Sequence, residues 1–368
     1  MTSVLISGAG VAGTTLAYWL ARHGFAVTVV ERGAGPRSSG NPVDVRGPAW
    51  AVANRMGIVP ALRAAQTRAT AMRLVDDTGR SLARIPMPAT RGDEVELPRG
   101  DLAAVLLDAI RDDVELVWDD TVTALTTDAY GVDVTFERSA PRRFDVVVGA
   151  DGLHSTVRRL AFGPEREYVR HLGLHVATLP LGSDEGSDVL LHNTPGRLVS
   201  IHPARGAALA AFIFRSAPVP GFDHRNTTQH KQIVTTAYAD AGWRVPELLD
   251  RLAAADDLYF DAVSAVRLPS WSRGHVTLLG DAASCVSLFG DGSSLAMAGA
   301  ETLASALAAD PATAFARYEA AHRRLVDPKQ RRVGRAAGLL VPKTRLGLRA
   351  RDLAARTVTA FRTAGRST

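Results

Sequence analysis

Apolar residues run together in "VLI" at positions 4–6 and in "AVTVV" at 26–30. Between them Leu16, Ala17 and Leu20 recur at helical spacing. This pattern predicts strand, glycine turn, amphipathic helix and second strand, a βαβ unit whose second strand ends on Glu31. A loop rich in Gly, Pro, Arg and Ser spans 33–42. The alternating "VDVRG" and a helix over about 48–55 come next. "AMRLVDDTGRSLARIP" alternates on both sides of Asp77-Thr78-Gly79, which predicts a hairpin. "RGDLAAVLLDAIRDD" reads as a helix, and "VELVW", "VTALTTDAYGVDVTFER" and "FDVVVGADG" supply strands.

From about 168 to 215 four strand-like runs follow without a helix between them: "HLGLHVATLPL", "DVLLHN", "RLVSIHP" and "ALAAFIFR". Uninterrupted strands imply an antiparallel sheet set into an α/β chain. Helices near 227–241 and 246–255 lead to the strands "LYFDAVSAVRL" and "HVTLLG". The predicted class is α/β: a Rossmann-like domain with an inserted, mostly antiparallel β-sheet domain and C-terminal helices. The first domain takes 1–66, 99–165 and 270–325, the second 67–98 and 166–269, and a basic helical tail 326–368.

Composition changes this picture little. With 46% apolar and 22% charged residues among 368, the chain suits a large soluble core. Its net charge of +5 is a misleading average: residues 321–368 carry 13 Arg or Lys against 2 Asp, a local +11, so the remainder carries −6. A solvated helical face explains the tail, and contact with an anionic membrane stays open as a second reading. Only Phe361 interleaves aromatically with these charges, which argues against a nucleic-acid partner. No apolar run approaches the roughly 18 residues of a membrane helix. "MTSVLISGAG" lacks a basic leader, and the single cysteine, Cys285, suits a reducing compartment, so a cytoplasmic protein is expected. Cys285 among small residues reads as a buried apolar group.

Three glycine-rich junctions carry the chemistry. In Gly8-Ala9-Gly10-Val11-Ala12-Gly13 the glycines allow a tight turn, close approach of a pyrophosphate, and close helix–strand packing. Glu31, 18 residues beyond Gly13, is placed to accept ribose hydroxyls. In "DVVVGADGLHSTVRRL" Asp151 reads, taken alone, as a helix cap. In "GDAASCVSLFGDGSSLAMAGAETLASAL" Asp281 ends a buried strand, and Gly290, Gly292, Ser293 and Ser294 open the next helix.

In this order the three junctions resemble the class A flavoprotein monooxygenases, single-component FAD-dependent aromatic hydroxylases of the para-hydroxybenzoate hydroxylase type, over residues 1 to about 324. The resemblance implies FAD between the two domains, with Gly8, Gly10, Val11, Ala12 and Gly13 at its pyrophosphate. Glu31 would meet the adenosine ribose and Arg32 would flank the adenine. Arg99 would lie beside FAD, with Asp151 beneath it and Asp281 on the ribityl or pyrophosphate oxygens. Gly292, Ser293 and Ser294 would offer N–H groups to the flavin's pyrimidine edge, and Asp44 and Arg46 would border the ring. Ser284 stands where the family usually has His or Tyr, no proline occurs in Ser287-Leu288-Phe289, and Asp291 separates the paired glycines.

The implied reaction uses NADPH or NADH and O2 to hydroxylate an aromatic or polyketide-like molecule through a C4a-hydroperoxyflavin. Oxidation without oxygen insertion, and flavin binding without turnover, are the alternatives. Substrate contacts are expected from His192, His202, Phe214 and Phe289. No general base stands out. No metal site is expected: His171 and His175, four apart on a strand, would lie roughly 13 Å from each other.

Overall fold

The computed structural model describes all residues but 37–39, 41, 68, 88–91, 204–207, 286–290 and 365–368, and all their side chains but those of 333–336 and 355–364. The chain opens with β1 (Ser3–Ser7), α1 (Val11–Arg22), β2 (Ala26–Glu31), β3 (Val43–Arg46), α2 (Pro48–Arg55) and α3 (Val59–Ala64). It continues through β4 (Ala71–Val75), β5 (Ser81–Pro86), β6 (Glu94–Leu97), α4 (Arg99–Asp108), β7 (Glu115–Trp118), β8 (Val122–Thr127) and β9 (Val132–Phe136). Next come β10 (Arg142–Phe144), β11 (Val146–Gly149), α5 (Thr156–Ala161), β12 (Val169–Pro180), β13 (Asp188–Thr194), β14 (Arg197–His202) and β15 (Leu209–Arg215). Then follow α6 (Thr227–Tyr238), α7 (Val245–Ala254), β16 (Tyr259–Val266), β17 (Ser272–Arg273) and β18 (Val276–Leu278). The last helices are α8 (Asp281–Ser284), α9 (Asp291–Ala309), α10 (Ala314–Leu340) and α11 (Arg345–Ala364).

One sheet has the order β17-β18-β11-β1-β2-β7, and all its pairs except β17–β18 are parallel. Strands buried on both faces need continuous apolar runs, as "VVVG" of β11 shows. Helix α1 turns Leu16, Ala17 and Leu20 fully inward and keeps Arg22 for its last turn. Connections leave β1 in both directions, so its carboxyl end is a switch point where open α/β sheets bind ligands. The register sets Ser7 beside Gly149, and Gly149 beside Leu278. Three distant glycine junctions therefore meet at one sheet edge.

The second sheet runs β16-β12-β15-β14-β13-β4-β5, antiparallel except for β13–β4. Its outer face packs Phe212, Phe214 and Ile201 against Val234 and Tyr238 of α6 and Leu248 and Leu252 of α7. The Tyr238 hydroxyl donates to Leu198 O of the interior strand β14 at 2.8 Å.

One expectation, the wide separation of His171 and His175, is corrected. Helix α10 is continuous through position 326, where the sequence suggests a separate tail. It bridges the sheets: the Tyr318 hydroxyl donates to Leu278 O of β18 at 3.2 Å, and Ala337 packs with Leu174 and Ile213 of the second sheet. His171 and His175 approach to 4.9 Å between ring centroids, because the β12 register shifts between His171 and Leu174 around Gly173, at φ +78°. Among the described residues no cluster of three or more His, Cys, Asp or Glu could hold a metal ion.

Candidate active site

A cavity of about 520 Å³ begins at the glycine junctions and ends on the inner face of the second sheet. Gly8 sits at φ +108°, and a Cβ there would stand 2.5 Å from Ala150 O. A Cβ on Gly13 would stand 1.9 Å from Gly8 O, so this glycine lets α1 close onto β1. A Cβ on Gly10 meets nothing within 4 Å: its face opens to the cavity at the N-terminus of α1. Gly10 brings no side-chain hydrogen bond to that helix end, so the first-turn N–H groups keep their capacity for an anion.

Glu31 lines the cavity and shapes it, accepting from Ala9 N at 2.9 Å and Gly33 N at 2.8 Å. Arg32 and Arg99 line the same wall. Asp151 caps α5, accepting from Thr156 N at 2.8 Å, Val157 N at 3.1 Å and the Ser155 hydroxyl, and it also lines the cavity. Asp281 opens α8 at the end of the β18 junction and faces the cavity. Burial pushes its carboxyl above the usual range, although Arg99 works in the opposite direction. A buried acid whose charge is disfavoured in the free protein suits donation from ligand hydroxyls.

Val11, Ala12, Gly292 and Ser293 complete this wall. Ser293 and Ser294 send their hydroxyls to Asp44 O, at 2.7 and 2.8 Å. The side chains of Ser294, Asp44 and Arg46 do not line this cavity. Strand β3 alternates, so Val43 faces the large cavity while Asp44 and Arg46 face away. Arg46 pairs with Asp291 at 3.0 Å beside a separate cavity of about 250 Å³ that Ser294 and Lys329 also line. Burial raises the Asp291 carboxyl, but Lys329 and Arg46 outweigh it and hold the group below its ordinary value. Asp291 therefore points away from the large cavity.

The second sheet obeys the same parity. Val189, Leu191 and Ile213 line the cavity, whereas His192 and Phe214 lie one residue off and face outward. His192 is buried beside Trp243, and Phe214 stacks on His175. His202 is on the cavity face, 2.9 Å from the Ser200 hydroxyl. Phe289 lies outside the described residues.

The pattern in this chain fits the family model. It matches the FAD binding domain over residues 1–325. The chain belongs to the class A flavoprotein monooxygenases. It is 40% identical to an uncharacterized protein of Mycobacterium tuberculosis over 343 residues, covering 90% of this chain and 92% of that one. A flavin-dependent monooxygenase of Legionella longbeachae is 35% identical over 339 residues, 89% and 87% of the two chains. The crystal structure of the tetracycline destructase Tet(51) superposes with a TM-score of 0.87 at 29% identity, covering 97% of this chain and 96% of that one. This flavoprotein class accounts for the cradle: uncapped N–H groups, an open Gly10 face and a hydroxyl-seeking Asp281 fit the diphosphate and ribityl parts of FAD.

Two residues not singled out from the sequence support the cradle. Arg158, wholly buried, donates to Ala282 O at 3.0 Å and Leu153 O at 2.5 Å, tying the second junction to the third. His154 bridges Glu165 at 3.1 Å and Asp261 at 3.1 Å and stacks on His224. Burial opposes its charge, but the hydrogen bonds to Asp261 and Glu165 outweigh it and raise its pKa to about 9. This stabilisation is complete below the unfolded value near 6.5 and is lost as pH rises through about 9. Urea unfolding of wild type should therefore weaken by roughly 2 kcal/mol from neutral pH to above the raised pKa. His154→Gln should flatten that fall, and an equally steep fall in the variant contradicts the assignment.

Proposed function

We propose that the protein is an NAD(P)H-dependent monooxygenase that inserts one atom of O2 into an aromatic or polyketide-like small molecule. The observation that carries this reading is the continuity of one cavity from a dinucleotide cradle to the inner face of the second sheet. FAD, when bound, supplies the redox and oxygen chemistry. Gly8, Gly10 and Gly13 admit the pyrophosphate, Glu31 accepts from the ribose and Asp281 from the ribityl hydroxyls. The N-terminus of α9 would offer backbone N–H groups and its positive dipole end to the pyrimidine edge of a bound ring. Val176, Leu191, Ile213 and Leu340 hold the substrate and exclude water. Tet(51) is described as a tetracycline destructase, which supports a fused-ring substrate class.

Anaerobic addition of NADPH, and separately NADH, to FAD-loaded protein is the test. Bleaching of the flavin band by one nicotinamide, with recovery in air, is the expected result. Flavin that stays oxidised with both overturns the nicotinamide reading and favours oxidation driven by another reductant.

A further inference from the structure

The parity that takes His192 and Phe214 out of the cavity puts a line of polar side chains into it. Tyr259 of β16 pairs with Thr178 of β12, Thr178 with Ala211 of β15, and Ala211 with Ser200 of β14. Residues in cross-strand register point to the same face, and strands lie about 4.8 Å apart, so the row spans about 14 Å. Tyr259 and Ser200 line the cavity, and Thr178 shares the face of the lining residue Val176 two positions before it. Ala211, small and buried, separates the polar ends without filling the space between them. The rows beside this one are largely apolar: one holds Val176, Ile213 and Leu198 with Asp261 at its β16 end, and the other holds Pro180 and Leu209 with His202 at its β14 end.

The Tyr259 phenol and the Ser200 hydroxyl carry hydrogen-bonding capacity into the cavity that they line. The Thr178 hydroxyl is buried without a partner in the protein. The Ser200 hydroxyl meets His202 Nε2 at 2.9 Å. Burial lowers the His202 pKa to about 4, so the imidazole is uncharged at neutral pH. The described charged residues that line the cavity, among them Arg32, Arg99, Asp151 and Asp281, all belong to segments outside this sheet.

We propose that Tyr259, Ser200 and His202 form a specificity-determining edge that takes an uncharged, hydroxylated fused-ring aromatic and rejects an aromatic carboxylate. This inference rests on the reading of the sheet end of the cavity as the substrate site. A flat ring system fills the apolar rows, and its hydroxyl exchanges hydrogen bonds with the polar one. A carboxylate entering the same space loses its hydration and meets no lining cation on the sheet to offset the loss.

Calorimetric titration of the FAD-loaded protein with 1-naphthol, 1-naphthoate and naphthalene tests the proposal without turnover. 1-Naphthol is expected to bind at least about tenfold more tightly than 1-naphthoate, and His202→Leu and Ser200→Ala should each weaken it about fivefold. Naphthalene binding should change less than about twofold in either variant, with FAD content unchanged. Equal or tighter binding of 1-naphthoate overturns the proposal, as does an equal loss for naphthol and naphthalene. Failure of nicotinamide to bleach the flavin bears on the proposed reaction and leaves this binding preference intact.

Discussion

Gly13→Val is expected to yield protein that holds no FAD and unfolds far more easily than wild type. The Cβ position at 1.9 Å from Gly8 O lies well inside contact distance, and Ile6 Cγ2 closes the other side at 3.2 Å. The obstruction on one side is backbone of the turn itself, so relief requires α1 to move off β1 and the cradle to open. Valine improves on glycine in helix propensity by a few tenths of a kcal/mol, while the clash costs on the order of 3 kcal/mol or more. Gly10→Val makes the contrasting case. Its Cβ enters open space, so stability should stay near wild type while FAD affinity falls. Urea unfolding and flavin content, measured on both variants, separate the two roles. Wild-type stability and full flavin in Gly13→Val contradict the packing assignment.

Asp281→Ala should lower FAD affinity at least tenfold without destabilising the free protein. Burial raises the Asp281 carboxyl pKa, so the fold disfavours its charge. The sign follows: a raised acid makes the free protein less stable as pH rises past the group's ordinary value, and alanine removes that penalty. Ribityl hydroxyls of bound FAD would reverse the balance by donating to the carboxylate, and losing charged hydrogen bonds of this kind costs about 1.5–3 kcal/mol. Asp281→Asn, which keeps an acceptor, should fall between. Unchanged affinity in the alanine variant removes Asp281 from the site, and collapse of the free protein gives it a structural role.

The sequence made the scaffold legible because its signals are local. Glycine spacing, two periodicities and an acid after β2 announce a dinucleotide turn, and the three junctions meet because parallel strands place them at one edge. The inward face of each strand was harder to read. Asp44, Arg46, His192 and Phe214 attract notice as chemical side chains, yet a one-residue offset turns each away from the large cavity. Val43, Leu191 and Ile213, which do line it, look like ordinary core. Asp291 depends on partners hundreds of residues away in sequence or across helices, Arg46 on β3 and Lys329 on α10. Arg158 hides in "STVRRL", where nothing local says which arginine turns inward. The polar row across the second sheet exists only once the registers of four strands are known.

The absorbance spectrum of the purified protein, before and after incubation with FAD and removal of excess, tests the cradle most directly. Near-stoichiometric flavin in wild type, lost in Gly13→Val and reduced in Asp281→Ala, is the predicted result. A folded, colourless wild-type protein that takes up no FAD would contradict the assignment of this cavity.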